Sequence, residues 1–245
     1  MRKFGLIGFP LGHSFSKKYF SEKFAREGKS DCQFELYEFP EVTDFPALIQ
    51  QEKTLEGLSV TIPYKEQIIP YLEALDPACQ RIGAVNCIRI RDGKKVGFNT
   101  DYLGFKQSLK TWLGDTIPSA LVLGTGGASK AVQQALRDLQ VPFLLVSRKK
   151  QEGQLCYEEL WTNAKWLEEF TLLINTTPLG TFPKVEELPD IPLHQLTSAH
   201  AVYDLVYNPP CTRLMKACLD KGGKAKNGQD MLELQAEAAW AIWNA

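Results

Sequence analysis

Three glycines in "VLGTGGASKAVQQAL", Gly124, Gly126 and Gly127, stand where an apolar run gives way to a helical pattern. Glycine at such a junction lets the backbone turn tightly and come close to a pyrophosphate at a helix N-terminus. Ser129 holds the sixth position, where the full G-x-G-x-x-G pattern has Gly or Ala, so the match is partial and a plain turn is the competing reading. The adenosine ribose of a dinucleotide lies at the end of the next strand, about 20 residues on, where NAD proteins place an acidic residue on the 2′-hydroxyl. This chain has "SRKK" there instead: Ser147, Arg148, Lys149 and Lys150. A guanidinium pairs with a 2′-phosphate, which a carboxylate would repel. The position therefore points to NADP with Arg148 as the discriminating residue; elsewhere the same run would be a solvated basic turn.

A second polar set lies in the earlier part of the chain. Ser14 and Ser16 follow an apolar run at a helix start, where hydroxyls and free amides grip a carboxylate, or where Ser16 simply caps the helix. Lys65 follows "SVTIPY", Asn86 closes "GAVN" and Asp101 ends "GFNTD". Alone, a lysine is a surface residue and Asp101 a helix cap. Together, S-x-S, V-T-x-P-x-K, G-A-V-N and N-T-D fall at strand ends of one α/β domain, where ligand clefts form.

The elements that must position these residues alternate between strand and helix. "KFGLIGFP" reads as a buried strand, a helix runs from a Ser16 cap to Arg26, and "CQFELYEF" is the next strand. A helical stretch at 43–51, the strand "LEGLSVTIP", a helix capped by Asp76, and "AVNCIRIRDGKKVGFN" with its turn at Asp92-Gly93 follow. After the helix "DYLGFKQSLKTWL" the pattern restarts: "SALVLG", "GASKAVQQALRDL", "VPFLLVSR", a helix "YEELWTNAKW", "FTLLINTTP", "HAVYDLVYNP" and a helix "TRLMKACLDKG". The expected class is α/β with mostly parallel sheets in two domains. The last helix, "GQDMLELQAEAAWAIW", comes after the second unit and is free to return to the first.

The chain has 245 residues, 44% of them apolar, and carries 28 basic and 29 acidic groups for a net charge of −1. That balance gives no long-range attraction to nucleic acid or an anionic membrane and favours small-molecule partners. "MRKFGLIGFPLGHSFS" is too interrupted for a signal peptide and no apolar run approaches ~20 residues, so a cytoplasmic protein is expected. The six cysteines form no C-x-x-C pair and the three histidines, His13, His194 and His200, show no ligand spacing; no disulfide framework or zinc site is indicated.

In order, "GHSFS", "VTIPYKE", "RIGAVNCI", "GFNTDYLGF", "GTGGASKA", "INTTPLG", "YDLVYNP" and "NGQDMLELQA" make the chain resemble the shikimate dehydrogenase family over nearly its whole length. The resemblance implies an NADP-dependent oxidoreductase of CH-OH groups, reversibly reducing 3-dehydroshikimate to shikimate on the way to chorismate and the aromatic amino acids. It implies a substrate domain at 1–101 plus 228–245 and a Rossmann-like NADP domain at 102–227, with the C-terminal helix packed on the first domain. The assembly expected is a monomer or homodimer. It further implies that Ser14 and Ser16 hold the substrate carboxylate, that Thr61, Asn86 and Asp101 bond ring hydroxyls, and that Lys65 and Asp101 form the catalytic pair. Tyr207 and Gln235 match further substrate positions. Gly124, Gly126, Gly127, Ala128, Ser147, Arg148, Lys149 and Thr176 match cofactor positions.

Some residues depart from the family's pattern. Ser59 stands where Asn is usual, Cys87 where Thr is usual, Asp230 where Gly is usual, and "SRKK" where Asn-Arg-Thr is usual, with Arg148 retained. An NAD-linked quinate/shikimate dehydrogenase would carry an acidic residue at the ribose position, and a non-catalytic shikimate sensor would lack the Lys65/Asp101 pair. A dehydrogenase of folate-like carriers fits S-x-S and N-T-D poorly.

Overall fold

Uninterrupted apolar runs make the centre of each sheet. The computed structural model describes residues 1–12 and 14–245; His13, part of "GHSFS" and weighed above as a metal ligand, lies outside the described residues. Contacts divide the chain into two compact units, Met1–Thr100 with Ala236–Ala245, and Asp101–Gln235. The first holds β1 (Arg2–Gly8), α1 (Phe15–Arg26), β2 (Cys32–Glu38), α2 (Phe45–Gln51), β3 (Leu55–Val60), α3 (Tyr64–Gln67), β4 (Ala74–Leu75), α4 (Pro77–Ile82), β5 (Cys87–Arg91) and β6 (Lys94–Phe98). Helix α5 (Thr100–Leu113) then leads to β7 (Ala120–Leu123), α6 (Gly127–Asp138), β8 (Phe143–Ser147), β9 (Leu155–Cys156), α7 (Tyr157–Thr162), α8 (Lys165–Glu169) and β10 (Leu172–Asn175). The chain closes with β11 (Ala201–Asp204), α9 (Arg213–Asp220), β12 (Lys224–Lys226) and α10 (Gln229–Asn244).

Among the described residues the first sheet has the order β2-β1-β3-β5-β6-β4. Its β1 pairs in parallel with both β2 and β3, but β5 runs antiparallel to β3 and to β6. β4 pairs in parallel with β6, so β5 alone runs against the other strands and the expectation of a mostly parallel sheet holds; Asp92 and Gly93, at φ 52° and 75°, form the tight hairpin turn that sets β6 antiparallel to β5. The second sheet, β12-β11-β10-β7-β8-β9, is parallel throughout. Its β7, β10 and β11 are buried at every residue, as strands covered on both faces must be.

Both sheets reverse their winding at one point, between β1 and β3 in the first and between β7 and β10 in the second. Ligand crevices open beyond the carboxyl ends of strands at such switch points.

The terminal helix packs as expected. Ala236, Ala239 and Trp243 join Phe4, Phe20, Phe24 and Phe34 in one buried cluster of the first unit. Trp243 stacks on Phe4 with centroids 5.1 Å apart and donates its indole N–H to the Ile88 carbonyl at 3.1 Å. Gly57 makes room for that ring, because a Cβ there would lie 2.3 Å from Trp243 Cδ1. Buried Lys23 on α1 reinforces the seat, reaching Glu27 at 2.7 Å and Glu237 at 2.9 Å.

Two local expectations are corrected. The cap of α1 is Ser14, not Ser16: its hydroxyl accepts from Lys17 N at 3.3 Å, so the helix begins at Phe15, which stacks on Tyr19 one turn later. The helix expected over "YEELWTNAKW" breaks into α7 and α8, because Asn163 turns extended and its side chain accepts from Lys165 N at 3.2 Å, offering the backbone an alternative to the helix.

Candidate active site

In the first unit the expected substrate residues gather at the carboxyl edge of the sheet. β1 runs into the segment carrying Ser14 and Ser16, while β3 runs into Thr61 and, on α3, Lys65. Thr61 N donates to Ile7 O at 2.9 Å, and Phe9 N donates to Ile62 O at 3.0 Å, so the ends of both strands are tied together. Gly8 permits the approach, since a Cβ there would sit 2.5 Å from Thr61 Cγ2. The turn before β5 joins the same edge: Val60 N donates to Asn86 O at 2.8 Å and Val85 N to Lys65 O at 2.7 Å. Ser59, the departure noted above, is buried within β3.

Asn86 also fixes what comes next in the chain. Its Oδ1 accepts from Thr100 N at 2.6 Å and Thr100 Oγ1 at 3.2 Å, while Asn99 Nδ2 donates to Ala84 O at 2.9 Å. Two of the three residues of N-T-D therefore hold the G-A-V-N turn, and the third, Asp101, lies half-buried in the first turn of α5.

In the second unit the glycine loop, the end of β8 and the end of β10 line one cavity of about 460 Å³, with Gly124, Thr125, Gly126, Ser147, Arg148 and Tyr157 on one side and Thr176, Thr177, Pro178 and Leu179 on the other. Gly124 has φ +104°, and a Cβ there would lie 2.9 Å from Thr176 Oγ1 and from Thr177 Cγ2. A Cβ at Gly126 or Gly127 would meet nothing within 4 Å, so the folded chain itself does not require glycine at either position. That open space leaves room for a ligand to come close to the backbone at the start of α6. Gly126 caps α6 without a side-chain hydrogen bond, which leaves the first-turn amides open to an anion.

Of the expected cofactor residues, the cavity brings together Gly124, Gly126, Ser147, Arg148 and Thr176; Gly127, Ala128 and Lys149 are not among its lining residues. Ser147 donates its hydroxyl to the Lys149 carbonyl and so shapes the turn that presents Arg148. Lys150 is engaged with Glu159 at 2.7 Å. Sequence reasoning misses Thr125, Tyr157, Thr177, Pro178 and Leu179. For the last three the signal is present in "INTTPLG", from which it draws only Thr176.

A buried polar network supports the Thr176–Leu179 loop. Asp204, fully buried at the end of β11, accepts from Asn175 Nδ2 at 2.9 Å and Val206 N at 3.0 Å on one oxygen, and from Thr212 Oγ1 at 2.6 Å on the other. Burial pushes its carboxyl pKa up, against the pull of these three donors. Asn175 Oδ1 in turn accepts from Thr177 N at 3.0 Å and Thr177 Oγ1 at 2.6 Å. Tyr207, expected on the substrate, is exposed just beyond β11. Gln235 is buried on α10 and donates to Leu232 O at 2.8 Å.

The family description "Shikimate dehydrogenase substrate binding domain" matches residues 6–88. A relative from Clostridium beijerinckii named shikimate dehydrogenase (NADP(+)) is 36% identical, covering 99% of this chain and 92% of its own. The chain belongs to the shikimate dehydrogenase family. Another member, from Desulforamulus reducens and of the same name, is 33% identical over 98% of this chain and 88% of its own. Among solved members, shikimate 5-dehydrogenase from Thermus thermophilus, in complex with NADP(H) and shikimate, superimposes with a TM-score of 0.86 at 30% identity, covering 99% of this chain and 93% of that one.

Proposed function

We propose that this chain is an NADP-dependent dehydrogenase that interconverts 3-dehydroshikimate and shikimate, a step of the shikimate pathway. Full-length likeness to relatives named shikimate dehydrogenase (NADP(+)) carries the reading. The cofactor cavity fits it chemically: open helix amides suit a pyrophosphate, and a guanidinium stands where an NAD protein has a carboxylate. No helix among the described residues is long and apolar enough to cross a membrane, in keeping with the cytoplasmic location we propose.

NADPH, when bound, supplies the hydride. The chain's own residues hold the substrate and manage its proton. Ser14 and Ser16 take the carboxylate, and Thr61, Asn86 and Asp101 the ring hydroxyls. Lys65 meets the ketone oxygen, where an ammonium both stabilises the charge that develops on reduction and donates the proton that quenches it. Asp101 orients the ammonium, and Tyr207 and Gln235 complete the substrate contacts. The functional division follows as 1–101 with 228–245 for substrate and 102–227 for NADP.

Steady-state NADP reduction with shikimate, run beside NAD and beside quinate, tests the proposal. Turnover that is strongest with shikimate and NADP, collapses in Lys65→Ala and loses its cofactor preference in Arg148→Ala is the expected result. Shikimate binding without turnover would overturn it in favour of a sensor.

A further inference from the structure

Tyr157 stands in the cofactor cavity with no part in the scheme above. β9 pairs with β8 in parallel register, Val146 opposite Leu155 and Ser147 opposite Cys156. The residue that follows each strand, Arg148 after β8 and Tyr157 at the start of α7, therefore leaves the carboxyl edge of the sheet beside the other, and both line the cavity. The Tyr157 ring packs against the core of the second unit. Its hydroxyl has no hydrogen-bond partner among the described residues, yet it is not one of the buried polar atoms left unpaired, so solvent reaches it.

A phosphomonoester at neutral pH carries nearly two negative charges and three strong acceptor oxygens. Of the basic run Arg148 lines the cavity and Lys149 and Lys150 do not, Lys150 being held by Glu159 at 2.7 and 2.8 Å. One guanidinium bonds at most part of the three-oxygen face, so a further neutral donor beside it adds to recognition of the phosphate. Burial pushes the Tyr157 phenol up to about 12, with the Arg148 charge acting in the opposite sense, so the group remains a neutral donor and lies within electrostatic reach of the guanidinium.

We infer that Tyr157 is a specificity-determining residue for the cofactor, donating its hydroxyl to the adenosine 2′-phosphate that Arg148 pairs with. This rests on the NADP reading above. A tyrosine serving only as a wall for the adenine face would need its ring and not its oxygen, and Tyr157→Phe separates the two while keeping the ring packed.

The test is calorimetric titration of adenosine 2′,5′-bisphosphate and of adenosine 5′-monophosphate into wild type, Tyr157→Phe and Arg148→Ala. Wild type should prefer the bisphosphate. Tyr157→Phe should cut that preference about tenfold, the value of one hydrogen bond to a charged group, while its affinity for the monophosphate stays within about twofold. An unchanged preference in Tyr157→Phe, or equal weakening of both ligands, overturns the inference and leaves the NADP reading standing, provided Arg148→Ala loses the preference. A wild type that does not distinguish the two ligands overturns the NADP reading itself, and the inference falls with it.

Discussion

Replacing Asp204 by asparagine removes one charged acceptor from a fully buried network whose geometry sets the size of the loss. One carboxylate oxygen already accepts from both Asn175 Nδ2 and Val206 N, and an amide oxygen in the same place keeps those two bonds. The other oxygen accepts from Thr212 Oγ1 at 2.6 Å, and an amide NH2 there cannot. The Thr212 hydroxyl, which also accepts from Met215 N at 3.3 Å, is left with its hydrogen unpaired. The loss is one charge-assisted bond, about 1.5–3 kcal/mol. In a protein of this size that lowers the thermal midpoint by roughly 5–10 °C. Asp204→Ala strips all three donors of their acceptor and should cost about 4 kcal/mol or more. The assay is thermal unfolding by circular dichroism, with titration of NADP into each variant, since Asn175 carries the strain to Thr177 in the cavity wall. A midpoint for Asp204→Asn within about 1 °C of wild type, or an alanine variant no worse than the asparagine one, would refute the reasoning.

Other perturbations probe separate parts of the molecule. Trp243→Ala should cost about 3–5 kcal/mol in urea unfolding. Gly57→Ala, whose Cβ would strike the same ring, should cost less in the Trp243→Ala background than in wild type, because the methyl then has room; strict additivity would refute the contact. Glu237→Gln probes pH dependence. Burial raises the Glu237 pKa, but bonds from Tyr19 and Lys23 outweigh it and leave the carboxyl below its ordinary 4.5. A depressed acid stabilises the fold above its unfolded pKa and loses that contribution as pH falls through its folded value. The midpoint gap between wild type and Glu237→Gln should thus be full near neutrality and shrink at pH values below about 4.5, as followed by thermal melts in a buffer series. Gly124→Ala forces a side chain to φ +104° and within 2.9 Å of two threonines, and should weaken NADP binding about tenfold by titration with the far-ultraviolet spectrum retained.

The parts of the site legible in the sequence are those whose cause is local. Gly124 and Gly126 announce a strand-to-helix turn by type and spacing, and Arg148 by its distance from them. Tyr157 was illegible because its place depends on β9, a two-residue strand with no period to read, which exists only because β8 offers it an edge. The role of Asn86 was half legible: its position at a strand end was clear, but its bonds to Thr100 come from a hairpin that brings positions 86 and 100 together. Ser14 against Ser16 turns on which hydroxyl reaches the first-turn amides, and Lys17 N bonds Ser14, a choice that hydroxyl preference alone does not reveal.

The seat of Trp243 over Gly57 bears on how the chain is made. The first unit begins to emerge from the ribosome well before the second, yet its core lacks Trp243 until residues beyond Gln235 have been translated. The second unit, contiguous from Asp101 to Gln235, needs no such wait. The core of the part translated first is thus completed last, and the faces of Phe4 and Phe20 that meet Trp243 stay open on the nascent chain in the meantime, while their contacts with Phe24 and Phe34 need no later residue. That interval is when a chaperone has most to bind.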